Sequence, residues 1–193
     1  MILYINGSPK LSKGNSEYFI KKIESSAEIK YLYKDKFDSL NLKDADTIIL
    51  SFPLYVDAPS NKVIELFEYI DNKNISLKDK NIYAISNCGF WEAEQNDTAI
   101  EIIRNFSKQH NAKFMGSFKI GAGEIVGRCD SIKIYKLMNF SFFKKIKKFR
   151  KYMFNNQYIE LETTIHPMTR RLYIFLANLS WKRKCRRNHL KKV

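Results

Sequence analysis

Hydroxyl, amide and ammonium groups are concentrated in one short segment that follows the first apolar run of the chain. Hydroxyl and amide N–H groups donate hydrogen bonds to phosphate oxygens, and lysine adds positive charge. The composition is therefore typical of a phosphate-binding loop, and an ordinary polar turn is the alternative interpretation. The side chains in question are Ser8, Lys10, Ser12, Lys13, Asn15 and Ser16.

The elements on either side of this loop are of the kind that build such a site. Residues 1–5 are almost wholly apolar, which is typical of a buried strand. The turn residues 6–9 end that strand, and Asn15 or Ser16 can cap a helix whose apolar positions begin at Phe19. Because the backbone N–H groups at a helix N-terminus have no helical partner, they stabilise a bound anion. Strand, loop and helix together predict a phosphate site.

Two further loops offer walls for a flat ring. The apolar runs 46–52 and 81–86 predict strands, and each is followed directly by a loop. The first loop is rigid and apolar, and the second contains a glycine that lets backbone approach a planar ligand closely. A phosphate site with two such walls predicts a mononucleotide carrying a ring system. The wall residues are Pro53, Leu54 and Tyr55 in the first loop, and Asn87, Cys88, Gly89 and Phe90 in the second.

The order of elements predicts the fold that would bring these loops together. Strands are predicted at 1–5, 28–33, 46–52, 81–86 and 113–120, of which 28–33 alternates like an edge strand, and helical segments separate them. This rhythm predicts an α/β fold, a doubly wound, five-stranded parallel sheet in the flavodoxin-like order 2-1-3-4-5. Ligands bind such sheets beyond the carboxyl ends of the strands, where the strand order reverses. Loops 7–16, 53–58 and 87–91 all belong to that edge.

Several other kinds of site are excluded. Neither a Walker A loop nor a G-x-G-x-x-G fingerprint is present, and the glycines of residues 121–127 have the spacing of a turn. The histidines lack metal-ligand spacing, so no metal is predicted. Cys88, Cys129 and Cys185 are few and far apart, which fits a reducing cytoplasm. The N-terminal strand pattern is not that of a secretory signal, and the apolar run 172–181 is too short to span a bilayer.

At this point the chain resembles a known family. Its motifs are Gly-Ser-Pro-Lys with Gly-Asn-Ser at 7–16, Phe-Pro-Leu-Tyr-Val-Asp-Ala-Pro-Ser at 52–60, Asn-Cys-Gly-Phe-Trp-Glu-Ala-Glu-Gln-Asn at 87–96, and Gly-Ala-Gly-Glu at 121–124. They resemble, in order, those of the flavodoxin-like NAD(P)H-dependent oxidoreductases and NADPH-dependent FMN reductases. The resemblance covers most of residues 1–127. It extends more loosely to the segment from Pro167 to Trp181.

The resemblance implies a cofactor, FMN, with NAD(P)H as co-substrate. It implies that the first loop holds the phosphate through Ser8, Lys10, Asn15 and Ser16. It implies that residues 53–56, ending at Val56, flank the isoalloxazine on one side and residues 87–90 on the other. Many family members carry a cysteine-bearing insertion before strand 3, whereas residues 37–46 connect directly here. The active site is therefore expected to be more open.

No general acid or base is predicted, because a flavin ring itself carries the hydride. Tyr55 could act as a proton donor, although an aromatic wall is the favoured interpretation of this residue. Cys88 could be a reactive thiol, but no positive neighbour that would lower its pKa is visible, so a packed side chain is favoured.

The basic excess is confined to the last third of the chain. Residues 1–129 hold 17 basic and 17 acidic residues, whereas residues 130–193 hold 17 basic and only 3 acidic ones. This predicts a flavodoxin-like domain over 1–129 and a basic helical C-terminal extension over 130–193. An apolar stripe predicts one helix from Tyr135 to Met153, and a second helix is expected from about Pro167 to Arg183.

Three roles are open for this extension. Packing on the domain or against a second subunit in a homodimer is favoured. Peripheral contact with an anionic membrane comes next, and nucleic acid is disfavoured because no recognised reading motif is present.

The favoured function is an FMN-dependent NAD(P)H oxidoreductase acting on a small acceptor such as a quinone, flavin or nitro compound. A flavodoxin-type electron carrier without its own substrate is the alternative. A carrier is disfavoured because it would need an acidic rim, and the body is neutral.

Overall fold

A parallel sheet of six strands forms the centre of the computed structural model, which describes residues 1–123, 126, 133–165 and 169–188. The strand order is β2-β1-β3-β4-β5-β6, and every neighbouring pair is parallel. The strands are β1 Ile2–Asn6, β2 Ile29–Tyr31, β3 Thr47–Pro53, β4 Asn81–Asn87, β5 Lys113–Gly121 and β6 Ile159–Thr164.

Helices cover both faces of this sheet. One face packs against α2 and α3, and the other packs against α1 and α5. The larger buried side chains of this second layer are aromatic, among them Phe19 on α1 and Phe142 and Phe149 on α5. The described helices are α1 Asn15–Ile23, α2 Asn61–Asn72, α3 Asp97–Gln109, α4 Lys133–Met138, α5 Phe140–Phe154 and α6 Arg170–Arg187, with short 3-10 turns at Phe37–Ser39 and Ala93–Asn96.

The predicted fold is confirmed, with one more strand than expected. The doubly wound order holds for the first five strands, and β6 pairs with β5 from Gly116↔Ile159 to Gly121↔Thr164. Residues 130–193 are therefore not wholly helical. Glu160 and Glu162 alternate with the more buried Ile159, Leu161 and Thr163, which is the pattern of a strand at the edge of a sheet. The division into two domains after residue 129 stays a prediction. In the structure, β6 is part of the same sheet as β1 to β5, and α5 packs in the same core as α1.

A bulge in β5 makes room for the sixth strand. Ile82 of β4 lies opposite Phe114, but Tyr83 lies opposite Gly116, so Met115 is the extra residue. Gly116 has φ +129°, and a Cβ built on it would lie 1.8 Å from the carbonyl oxygen of Ile159. A glycine is therefore required where β6 joins the sheet.

The apolar stripe of residues 135–153 is confirmed in part. Phe142, Ile146, Phe149 and Met153 are buried against the sheet, so α5 packs on the body of its own chain. Met138 belongs to the separate short helix α4 and is exposed, because the chain turns at Asn139.

Helix α6 begins at Arg170 rather than near Pro167, and none of its residues is buried. Over the described ranges, no helix has both the length and the apolar character needed to cross a bilayer. Several residues named in the sequence predictions lie outside these ranges: Glu124, Gly127, Cys129, His166, Pro167, Met168 and 189–193.

Candidate functional site

The three predicted loops meet at the carboxyl edge of the sheet. Asn6 at the end of β1 lies opposite Ser51, and Pro53 at the end of β3 lies opposite Asn87. Backbone hydrogen bonds continue beyond the strands, from Gly7 N to Ser51 O at 2.8 Å and from Leu54 N to Asn87 O at 2.8 Å. Since β1 leads to β2 on one side and β3 lies on the other, the meeting point is also where the strand order reverses.

The first loop is held in a compact turn by its own polar groups. Ser8 N donates to Asn6 Oδ1 at 2.8 Å, and Lys10 N donates to Ser8 Oγ at 3.2 Å. Ser60 Oγ donates to the carbonyl oxygen of Gly7 and so ties the turn to the start of α2. A Cβ on Gly7 would lie 2.6 Å from Val63 Cγ2, so the close approach of loop and helix requires glycine.

The start of α1 is left open to an anion. The helix begins at Asn15 with Gly14 as its N-cap, and no side chain caps it, so the predicted cap by Asn15 or Ser16 is wrong. The reason is that Gly14, which has no side chain, occupies the N-cap position. Gly14 O accepts from Tyr18 N at 3.0 Å. The first backbone N–H groups therefore have neither helical nor side-chain partners.

A buried amide at the same place supplies a further donor. Asn6 is fully buried, and its Oδ1 is used by Ser8 N, but its Nδ2 has no hydrogen-bond partner. A buried donor without an acceptor is costly, and the described residues provide none, so this amide is a candidate donor to a bound ligand. The sequence reasoning placed Asn6 in the turn and did not identify it as a site residue.

The predicted phosphate residues take different positions around this turn. Ser8 and Ser16 are buried, Asn15 is half-buried, and Lys10 is exposed. Ser16 Oγ accepts from Asn87 Nδ2 at 3.4 Å, which joins the first loop to the third. Asn87 Nδ2 also donates to Phe52 O at 3.1 Å, so this amide joins the start of α1 to the end of β3.

The second loop is a tight turn that projects from the sheet edge. Tyr55 N donates to Ala58 O at 2.9 Å and Ala58 N donates to Tyr55 O at 3.1 Å, with Val56 and Asp57 at φ 48° and 59° between them. Tyr55 is 49% exposed and Val56 98% exposed. Partial burial, with a smaller contribution from Tyr33, raises the pKa of the Tyr55 hydroxyl, which therefore stays protonated at neutral pH. Pro53 and Leu54 are half-buried beneath the turn.

The third loop presents Gly89 and Phe90 to solvent and keeps its cysteine inside. Phe90 is 57% exposed, whereas Cys88 is 4% exposed. The backbone of Cys88 continues the sheet, donating to Ile120 O and accepting from Gly123 N. Its thiol lies inside the fold, where Asn96 Nδ2 donates to Sγ at 3.4 Å. Burial raises the pKa of the Cys88 thiol. Only the backbone of Cys88 is therefore placed to face a ligand.

Because burial disfavours the thiolate, Cys88 will react slowly with alkylating agents. In a Cys129→Ser, Cys185→Ser background, we expect the folded protein at pH 8 to be labelled at least about tenfold more slowly than the unfolded chain. Mass spectrometry after timed iodoacetamide exposure measures the rate. Equal rates in the folded and urea-unfolded protein would contradict the buried thiol.

The C-terminal segment holds the third loop in place. Tyr173 Oη donates to Gly89 O, and the rings of Tyr173 and Trp91 lie 5.5 Å apart. Arg170 Nε donates to Glu92 Oε1 at 2.7 Å, and Thr164 Oγ1 donates to Trp91 O at 2.9 Å. Local sequence patterns gave no signal for these pairings, since each joins residues far apart in the chain.

Comparisons with known proteins agree with this architecture. No family model and no curated protein matches the chain. Among solved structures, the Trp repressor binding protein from Bacillus subtilis aligns with a TM-score of 0.57 at 18% identity, over 66% of this chain and 96% of that one. An NADPH-quinone reductase from P. pentosaceus aligns with a TM-score of 0.57 at 13% identity, over 79% and 96%.

Flavodoxin 1 from Bacillus cereus aligns with a TM-score of 0.50 at 17% identity, over 66% of this chain and 93% of that one. The resemblance seen in the sequence is thus confirmed for the fold, which is flavodoxin-like. At these identities the likeness establishes the architecture and leaves the activity to be argued from the site.

Proposed function

We propose that this chain is an FMN-dependent NAD(P)H oxidoreductase that reduces a small acceptor such as a quinone, a flavin or a nitro compound. One observation carries the proposal: unsatisfied donors and exposed aromatic side chains meet at the switch point of the sheet. The donors are the uncapped start of α1 and the buried Nδ2 of Asn6. The aromatic groups are Tyr55 and Phe90.

The donor set fits a phosphate monoester. Backbone N–H groups at a helix start, two hydroxyls and an amide suit phosphate oxygens, and the helix dipole favours their charge. In this proposal Ser8, Lys10, Asn15 and Ser16 hold the phosphate, while Lys10 remains at the exposed rim. Asn6 is added to that set because it is the last residue of β1 and its buried Nδ2 has no partner among the described residues.

The two other loops suit a flat ring. Residues 53–56 provide an apolar and aromatic side, and residues 87–90 provide backbone with little side chain in the way, since Cys88 points inside and residue 89 is glycine. A bound flavin would supply the redox chemistry between the nicotinamide and the acceptor. The chain's own part is to bind and orient the ring, and Tyr55 carries a proton at neutral pH.

The acceptor and the assembly belong to the same proposal. The projecting Tyr55–Ala58 turn leaves the site open at its rim, which suits a small acceptor that enters and leaves. We propose a homodimer, because Leu172, Phe175 and Leu176 on α6 are exposed. Light scattering after gel filtration measures the molar mass and so tests the dimer. The expected location is a reducing cytoplasm.

The function is tested on purified full-length protein reconstituted with FMN. We expect a yellow protein with flavin absorbance after desalting, quenching of FMN fluorescence on titration, and oxidation of NADH or NADPH when a soluble quinone is added. A colourless protein that takes up no FMN would contradict the proposal. Bound FMN without turnover for either nicotinamide would instead favour the electron carrier.

The role of Tyr55 is separated by two variants. If Tyr55 is an aromatic wall, Tyr55→Phe should keep kcat within about twofold at pH 7, while Tyr55→Ala should weaken FMN binding by about tenfold because it removes ring contact. Stopped-flow reduction and FMN titration measure the two effects. A large loss of kcat in Tyr55→Phe, with unchanged FMN affinity, would show that the hydroxyl donates a proton.

A further inference from the structure

The outer surface of α5 is strongly basic. Lys144, Lys147, Lys148 and Lys151 recur at steps of three, one and three residues, so they project from one side of the helix. All four are exposed, and the opposite side of α5 is the buried stripe on the sheet. We call these four lysines the basic face. It lies along the body of the protein because α5 is packed lengthwise against the sheet.

The described residues provide no carboxylate partner for the charges of the basic face. Within the described ranges, none of these lysines forms an ion pair; Lys148 only approaches the ring of Tyr152, at 5.6 Å from the centroid. Neighbouring cations behave differently: Lys145 donates to Glu162 O at 2.7 Å, and Arg150 lies 3.5 Å from Glu24. Four unpaired ammonium groups on about two helical turns repel one another, so an external polyanion would stabilise them.

A groove extends this charge toward α1. Lys22, near the end of α1, lines it together with Lys147, Lys151 and Arg150, and Phe154 provides an apolar surface beside them. The acidic residue beside this groove is Glu24, whose carboxylate accepts hydrogen bonds from Arg150 and Ser26. The basic character therefore belongs to the whole α1–α5 side of the molecule rather than to one helix turn.

Exposed apolar side chains stand at both ends of the basic face. Phe140, four residues before Lys144, is 66% exposed, and Phe154, three residues after Lys151, is 40% exposed. These spacings place both phenylalanines on the side of α5 that carries the lysines. They are separated by about 21 Å along the helix axis. Leu137 of α4, 76% exposed, adds to the apolar end at Phe140.

From this arrangement we propose that the basic face docks on the surface of a bilayer containing anionic lipids. Lysines attract the anionic headgroups, and aromatic side chains at the rim of a helix lying in the interface enter the boundary between headgroups and acyl chains. Exposed phenylalanines favour this occupant over a nucleic acid, whose backbone contacts are made by polar and charged groups. The proposal does not depend on the flavin site, and its test needs no flavin.

The test uses vesicles of phosphatidylcholine alone and of equal parts phosphatidylcholine and phosphatidylglycerol, with the full-length protein. Co-sedimentation should show binding to the anionic vesicles, which falls as salt rises, and at least about a thousandfold weaker binding to the neutral ones. Replacing all four lysines of the basic face by glutamine should lower the affinity for anionic vesicles by about a thousandfold, since each lysine near such a surface contributes about tenfold or less. The substitutions are Lys144→Gln, Lys147→Gln, Lys148→Gln and Lys151→Gln.

A matched control separates the basic face from net charge. The control variant removes the same charge from exposed lysines on the body of the protein, and its affinity for anionic vesicles should stay within about tenfold of the parent's. Its substitutions are Lys34→Gln, Lys36→Gln, Lys73→Gln and Lys78→Gln. Equal losses of vesicle affinity in both variants would overturn the proposal that α5 carries the membrane-binding surface. Because all eight lysines are exposed, neither variant should unfold at a lower temperature than the parent.

Two further arms decide the nature of the partner. Phe140→Ser with Phe154→Ser should remove most of the binding that survives high salt, while leaving the salt-sensitive part. Binding to a duplex oligonucleotide is measured at the same salt concentration, because a nucleic acid is the alternative polyanionic partner. Tighter binding to the duplex than to anionic vesicles, or equal binding to neutral and anionic vesicles, would overturn the proposal.

Discussion

Replacing Asn15 by aspartate will weaken FMN binding by about a hundredfold without loss of stability. Asn15 is the first residue of α1, beside the uncapped N–H groups proposed to hold the phosphate. A carboxylate there repels a phosphate with about 3 kcal/mol at short range and intermediate dielectric, which corresponds to that loss. The same carboxylate interacts favourably with the helix dipole, so the free energy of unfolding should stay equal or rise by about 0.5 kcal/mol. Fluorescence titration and urea unfolding measure the two quantities.

Riboflavin provides the control for this experiment. It has the same ring but no phosphate, so its affinity should be equal in Asn15→Asp and in the parent. Asn15→Ser, which retains a neutral donor, should bind FMN within about threefold of the parent. If Asn15→Asp weakened riboflavin and FMN alike, the phosphate would not lie at the start of α1, although FMN could still be the cofactor.

Replacing Gly116 by alanine will destabilise the fold by about 3 kcal/mol or more. The residue has φ +129°, which is unfavourable for any residue with a Cβ, and that Cβ would lie 1.8 Å from Ile159 O. The contact is backbone to backbone, so it can be relieved only by moving β6 away from β5. Since a domain of this kind is stable by about 5–15 kcal/mol, the loss is large. Urea unfolding followed by circular dichroism measures it.

Lys113→Ala tests whether an alanine in β5 is harmful in itself. Lys113 begins the same strand, is exposed, and has only an exposed pairing with Asp79 at 3.3 Å. We expect its replacement to change the free energy of unfolding by no more than about 0.5 kcal/mol. A comparable small change for Gly116→Ala would show that β6 does not need the close backbone approach at the bulge.

The continuous apolar runs of the central strands were enough to predict most of the fold. β3 and β4 are buried on both faces, so their sequences show no alternation and stand out clearly. β6 was missed because Glu160 and Glu162 interrupt its apolar positions and because it lies in a segment dominated by lysine and arginine. An isolated glycine inside the β5 pattern was the available signal for the bulge at Gly116.

The candidate site could be predicted as three loops, but not as the contacts between them. Turn residues after each apolar run identify the loops, and parallel pairing brings them to one edge. Local sequence does not show that Gly14 rather than Asn15 or Ser16 is the N-cap, because all three can occupy that position. Nor does it show that Tyr173 reaches Gly89, since such a pairing depends on the path of the intervening chain. The assignment of individual residues to FMN stays a prediction.

The late position of β6 in the chain has a consequence for synthesis on the ribosome. Until residues 159–164 have emerged, β5 has an unpaired edge, and until α5 has emerged, Phe118 and Ile120 have no covering layer. The nascent chain therefore carries an aggregation-prone surface for several seconds at ordinary rates of translation, about 5–20 residues per second. The sheet is complete only after residues 159–164 have emerged, so the segment that carries α5 and β6 closes both the edge and the core of the strands made before it.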